Sequence, residues 1–96
     1  MKIHIQVNAR ADLKAIWHYS HTQWGIEKAD LYMKELEKAF DTITYNPQIG
    51  FSCDYIRNGY RQFNVGKNMI FYKIKSKRIA VIRVLHESME YKTNLQ

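Results

Sequence analysis

A chain of 96 residues, 46% of them apolar, with four glycines and one proline, has the size and composition of a single folded domain spanning 1–96, with no segment but the last few residues reading as disordered. Its one cysteine, Cys53, excludes an internal disulfide; with no charged-then-apolar leader and no apolar run near the ~18 residues of a membrane helix, a soluble, cytoplasmic protein is expected, away from membranes. The formal net charge of +6 is unevenly placed: residues 1–48 carry six Lys/Arg against six Asp/Glu, and residues 49–96 carry nine against three, so the excess of 9 − 3 = 6 lies in the second half.

The first element is a half-buried strand over Lys2–Val7, where Ile3, Ile5 and Val7 alternate with Lys2, His4 and Gln6. Asn8 offers an N-cap to a helix over Ala9–Trp24, whose apolar positions are Ala9, Leu13, Ile16, Trp17 and Trp24. Gly25 stops it. A second helix follows over Ile26–Tyr45, with Ile26, Ala29, Met33, Leu36, Phe40 and Ile43 forming one seam. That seam would suit a coiled-coil dimer, but its short length and the glycine just upstream favour a helical hairpin packed within the chain. Asn46-Pro47 closes the helix, and Gly50 and Asn58-Gly59 mark turns.

Three strand-like runs then follow, around Phe63 and Val65, over Ile70–Ile74 and over Ile79–Leu85. Short basic joints, Gly66-Lys67-Asn68 and Lys75-Ser76-Lys77, make them an antiparallel meander. The middle run sets Ile70, Tyr72 and Ile74 against Met69, Phe71 and Lys73. The last sets Ile79, Val81, Arg83 and Leu85 against Ala80, Ile82, Val84 and His86. Both faces are largely apolar, so one takes the helices and the other needs a cover. The expected fold is α+β: an N-terminal strand, an antiparallel helical hairpin on one face of a mostly antiparallel four-stranded sheet, and a short C-terminal helix or tail.

The chemistry-bearing residues are few. His18 and His21 lie three apart on a helix without a further ligand at metal-site spacing, which predicts solvent-facing histidines and no metal. Cys53 reads as an inert thiol. Isolated glycines leave no phosphate-binding loop, and no cofactor is expected. If Arg83 shares a face with Met69, Phe71, Val81 and Leu85, an apolar surface presents a guanidinium to a phosphate or carboxylate; the alternative is pairing with a local acid such as Asp54 or Glu87. A metal-independent nuclease would have to draw on Arg61, Arg83 and His86, a thin set for acid–base chemistry. The basic half suits an acidic polypeptide or a nucleic acid, and also serves solubility.

These residues carry a family resemblance. Ala11-Asp12-Leu13 with Ile16 and Tyr19, Trp24-Gly25 with Ala29 and Tyr32, and Asn46-Pro47 with Gly50 resemble the first half of the ParE toxins. Arg57, Gly59-Tyr60-Arg61, Ile70-Phe71-Tyr72, Arg83-Val84-Leu85-His86 and Ser88-Met89-Glu90 are similar to that family's sheet and tail. The resemblance implies the toxin of a bacterial type II toxin–antitoxin pair in the RelE/ParE superfamily. It also implies a ParD-like antitoxin whose flexible segment wraps the toxin, with operator DNA reached only through that antitoxin. Met69, Phe71, Val81, Arg83 and Leu85 would then meet the antitoxin. In the mRNA-cutting RelE branch an arginine stands three positions before the strand tyrosine, where this chain has Met69. The ParE branch implies inhibition of DNA gyrase, with Arg61, His86, Met89 and Tyr91 as target contacts and no catalytic residue. The alternatives are a ribosome-dependent endoribonuclease and a decayed toxin kept for repression.

Overall fold

The computed structural model describes residues 1–87 and Leu95. The elements are β1 (Lys2–Ile5), α1 (Val7–Trp24), α2 (Ile26–Tyr45), β2 (Phe51–Ser52), β3 (Tyr60–Val65), β4 (Asn68–Lys75) and β5 (Arg78–His86). They build one five-stranded sheet in the order β1-β5-β4-β3-β2. All neighbours are antiparallel except β1, which runs parallel to β5. The α+β class, the helical hairpin and the meander are as the sequence predicts. The sheet is mixed and gains β2, which at two residues is too short to leave an alternation. The expected C-terminal helix or tail lies, apart from Leu95, outside the described residues.

The first helix starts without the expected Asn8 cap. The Gln6 N–H still reaches Val81 O (3.0 Å), while the Gln6 carbonyl accepts from Arg10 N (2.9 Å), so the strand passes directly into the helix. Val7 thereby leaves the sheet and is exposed. Gly25 both ends α1 and begins α2: its N–H donates to His21 O (2.9 Å) and its carbonyl accepts from Ala29 N (3.1 Å). This junction has φ +91°, a conformation in which a side chain would be strained.

Two apolar clusters fill the two sides of the sheet. On the helix side Ala9, Leu36, Ala39, Phe40 and Ile43 pack on Ile70, Tyr72, Ile79, Val81 and Val84. On the other side Phe71 and Leu85 pack with Cys53 and Leu95, flanked by Ile56, Tyr60, Met69 and Ile82. The second face is thus partly covered by the chain itself. Trp24 and Ile26, both read as part of the apolar seams, stay more than half exposed because they sit at the hairpin tip, beyond the edge of the sheet core.

One irregularity rearranges β5. Phe71 stands opposite Arg83 but Tyr72 opposite Val81, leaving Ile82 as an extra residue. A bulge of this kind breaks the period of two and re-aims the side chains beyond it. Val81 and Val84, three apart, both belong to the helix-side cluster, and Ile82 and Leu85 to the other. The expected single face of Met69, Phe71, Val81, Arg83 and Leu85 is therefore divided: Met69, Phe71 and Leu85 share the second face, and Val81 lies in the helix-side core.

Candidate functional site

Arg61, a candidate catalytic and target-binding cation, is anchored inward. Its guanidinium donates to Gln48 O (3.0 Å) and to Gly50 O (2.5 Å). The residue opposite it on β4, Tyr72, works on the same loop, donating through its hydroxyl to Pro47 O (2.8 Å) and accepting from Gly50 N (2.9 Å). Together these two side chains hold the turn between α2 and β2. Gly50 is needed there, since a Cβ would stand 2.6 Å from the Tyr72 hydroxyl and 2.8 Å from Gln62 O.

Arg83 reaches α1. Its Nε donates to Asp12 Oδ2 (2.7 Å) and its second nitrogen to Oδ1 (2.8 Å), while Oδ2 also accepts the Val84 N–H (2.9 Å). Asp12 raises the guanidinium above its already high ordinary value, chiefly through these hydrogen bonds. The partner is neither Asp54 nor Glu87. Asp12 lies 71 residues from Arg83 in sequence, so only the packing of α1 on β5 reveals the pair.

His86, at the end of β5, lines a largely apolar groove of about 590 Å³ between the helical hairpin and the β3–β4 turn. Tyr19, Trp24, Ile16 and Val84 supply its apolar wall. At its floor the buried Asn68 donates through Nδ2 to the Tyr32 hydroxyl, and its Oδ1 has no partner among the described residues. Burial raises the Tyr32 phenol above its ordinary value, against the Asn68 hydrogen bond. The groove itself left no signal in the sequence, because its walls come from α1, α2, the hairpin turn and β5.

The other candidates are scattered. Met69 is half-buried on the second face beside Leu85, whereas Phe71, Val81 and Leu85 are fully buried. His18 lies edge-on to Trp17 at 5.3 Å and His21 stacks on the same indole at 5.0 Å. Among the described residues no three His, Cys, Asp or Glu side chains form a cluster able to hold a metal. Met89 and Tyr91 lie outside the described residues. No described helix is long and apolar enough to cross a membrane.

This architecture, a helical hairpin on a mixed five-stranded sheet, has a counterpart among solved structures. Its backbone superposes on a solved chain from the chromosomal ParDE toxin–antitoxin system of P. aeruginosa with a TM-score of 0.79, covering 90% of this chain and 95% of that one, at 20% identity, a likeness of fold. The model of the ParE toxin of the type II toxin–antitoxin system parDE matches residues 3–91. Toxin ParE1 of Mycobacterium tuberculosis is 41% identical over 88 residues, 91% of this chain and 90% of that protein. Toxin ParE1 of Caulobacter vibrioides is 39% identical over 87 residues, with the same coverage. The chain belongs to the ParE toxin family of type II toxin–antitoxin systems.

Proposed function

We propose that this toxin acts in the cytoplasm without catalysis, by binding DNA gyrase and stabilising its cleaved-DNA complex, and that a ParD-like antitoxin neutralises it by direct binding. The observation that carries the non-catalytic reading is the commitment of both arginines of the candidate nuclease set Arg61, Arg83 and His86. Arg61 is bonded to two loop carbonyls and Arg83 to the Asp12 carboxylate. A phosphodiester-cleaving site needs cations aimed at the scissile phosphate, so each would have to leave its partner first. His86 with the tail residues Met89 and Tyr91 is the proposed target contact, and Met69, Phe71 and Leu85 mark the proposed antitoxin side.

A supercoiling assay with purified gyrase tests the reading. Added toxin is expected to abolish supercoiling and to trap cleaved DNA. Intact supercoiling with active gyrase and folded toxin would overturn it and direct attention to ribosome-bound mRNA.

A further inference from the structure

The second face of the sheet changes character along its length. At one end it is apolar and closed by Leu95; at the other it is basic. In β4 the residues of this face are Met69, Phe71, Lys73 and Lys75, because the β3–β4 register is unbroken. Lys75 stands opposite Arg78 of β5, and Arg78 stands opposite Lys2 of β1. Directly paired residues share a face, so three adjacent strands carry a transverse row of cations, about 4.8 Å from strand to strand. All three residues are exposed.

Beside this row lies a concavity of about 530 Å³ lined by Arg57, Asn58, Tyr60, Lys73, Lys75 and Ile82 among others, with no carboxylate among the described residues of its lining. Asp54, the acid of the loop that carries Arg57, is turned to the backbone and accepts the Gly59 N–H (2.7 Å). Among the described residues none of Lys2, Arg57, Lys73, Lys75 and Arg78 forms an ion pair. Like charges directly opposite one another destabilise a sheet. This arrangement is the kind relieved by a polyanion laid across it.

We propose that this basic face binds the phosphodiester backbone of DNA. The cations repeat at regular intervals, about 6.7 Å along β4 and about 4.8 Å across the strands, which suits a ligand with regularly spaced charges. The proposed antitoxin side lies at the other, apolar end of this face, around Met69, Phe71 and Leu85, whereas the Lys2–Arg78–Lys75 row crosses three strands as direct neighbours with no apolar side chain between its members, which suits a phosphodiester backbone better than an amphipathic peptide. Phosphate contacts of this type position a nucleic acid without reading its sequence. The inference stands apart from the gyrase reading, since it concerns the toxin and DNA alone.

The test is fluorescence anisotropy of a short labelled DNA duplex with the full-length toxin, titrated between about 50 and 200 mM salt. The wild type is expected to bind independently of sequence, with affinity falling steeply as salt rises. The triple variant Arg57→Gln/Lys73→Gln/Lys75→Gln is expected to bind more weakly and to lose about 2.7 from the log–log salt slope, about 0.9 per phosphate contact. Lys28→Gln/Lys34→Gln/Lys38→Gln, with the same loss of charge on exposed positions of α2, is expected to retain the wild-type slope. Equal loss of slope in both triple variants would reduce the effect to net charge and overturn the site. Absence of DNA binding by the wild type, binding of polyglutamate alone, or binding of an RNA duplex alone would each overturn it as well. None of these readouts contains gyrase, so a failure here leaves the supercoiling result untouched, and the converse.

Discussion

Arg83 on the last strand and Asp12 on the first helix form a two-pronged ion pair, with 2.7 and 2.8 Å contacts, that ties α1 to β5 across 71 residues of sequence. The β5 bulge places Arg83 one step out of alternation, and Asp12 closes the arrangement by accepting the Val84 N–H as well. Removing either member leaves the other charge in a partly buried position, and removing Asp12 also orphans the Val84 N–H.

Asp12→Ala is therefore expected to cost about 3 kcal/mol of unfolding free energy. Arg83→Leu should cost less, and the double variant less than the sum of the two single changes, by about 1–3 kcal/mol of coupling. Urea denaturation of the four proteins measures this cycle. In growth assays with variant proteins at equal folded concentration, Arg83→Leu should keep its toxicity. A folded but harmless Arg83→Leu would return Arg83 to the functional set.

Tyr72 and Gly50 make a second long-range tie. Tyr72→Phe removes a donor to Pro47 O and an acceptor for Gly50 N inside the protein, and is expected to destabilise it by about 2 kcal/mol. Gly50→Ala brings a Cβ to 2.6 Å from the Tyr72 hydroxyl and 2.8 Å from backbone Gln62 O, and since moving the ring relieves only the first contact, the backbone must shift as well. Overpacking of this kind costs about 1–3 kcal/mol. Thermal melts of both variants measure the effect, and a Gly50→Ala melting temperature equal to that of the wild type would show that the loop yields freely.

The particular elements show why some of this was legible in the sequence. The Ile26–Tyr45 helix and its start and stop were readable because a seam at helical spacing, Gly25 and Asn46-Pro47 are local signals. The three long strands were readable for the same reason. The family resemblance, resting on order and spacing across the chain, agrees with the family match over residues 3–91. What escaped is non-local. The bulge at Ile82 leaves no mark in a run of β-branched residues, yet it sends Val81 to the helix side. The loop carbonyls that occupy Arg61 carry no side-chain signal at all. Asp12 could be seen as an acid near a helix start, but its partner could not.

Cys53 is expected to be chemically quiet. It is fully buried, with its thiol 3.6 Å from Gln62 Oε1, and burial is the main cause that pushes it above its ordinary value of 9.0. The thiol is the favoured form in the folded protein, so the associated stability is complete below pH 9.0 and declines as pH rises through the elevated folded value. Iodoacetamide at neutral pH should label Cys53 slowly in the native protein and rapidly in urea. Rapid native labelling would contradict the burial.

The proposed antitoxin contact is best probed at Met69. Phe71 and Leu85 are fully buried against Cys53 and Leu95, so a charge at either position would be desolvated and unpaired, and the protein would unfold before its binding could be read. Met69 sits on the same face opposite Leu85 but is only half-buried, so a glutamate there can turn its carboxylate to water. Met69→Glu is expected to keep a near-native melting temperature while weakening antitoxin binding by about 2 kcal/mol, the scale of an interface anchor. Calorimetric titration of the folded variant with antitoxin measures it. Unchanged affinity would remove the second face from the docking surface and leave the groove beside Tyr19 and Trp24 as the exposed apolar area to examine, since both side chains there are more than half exposed and can be truncated without opening the core.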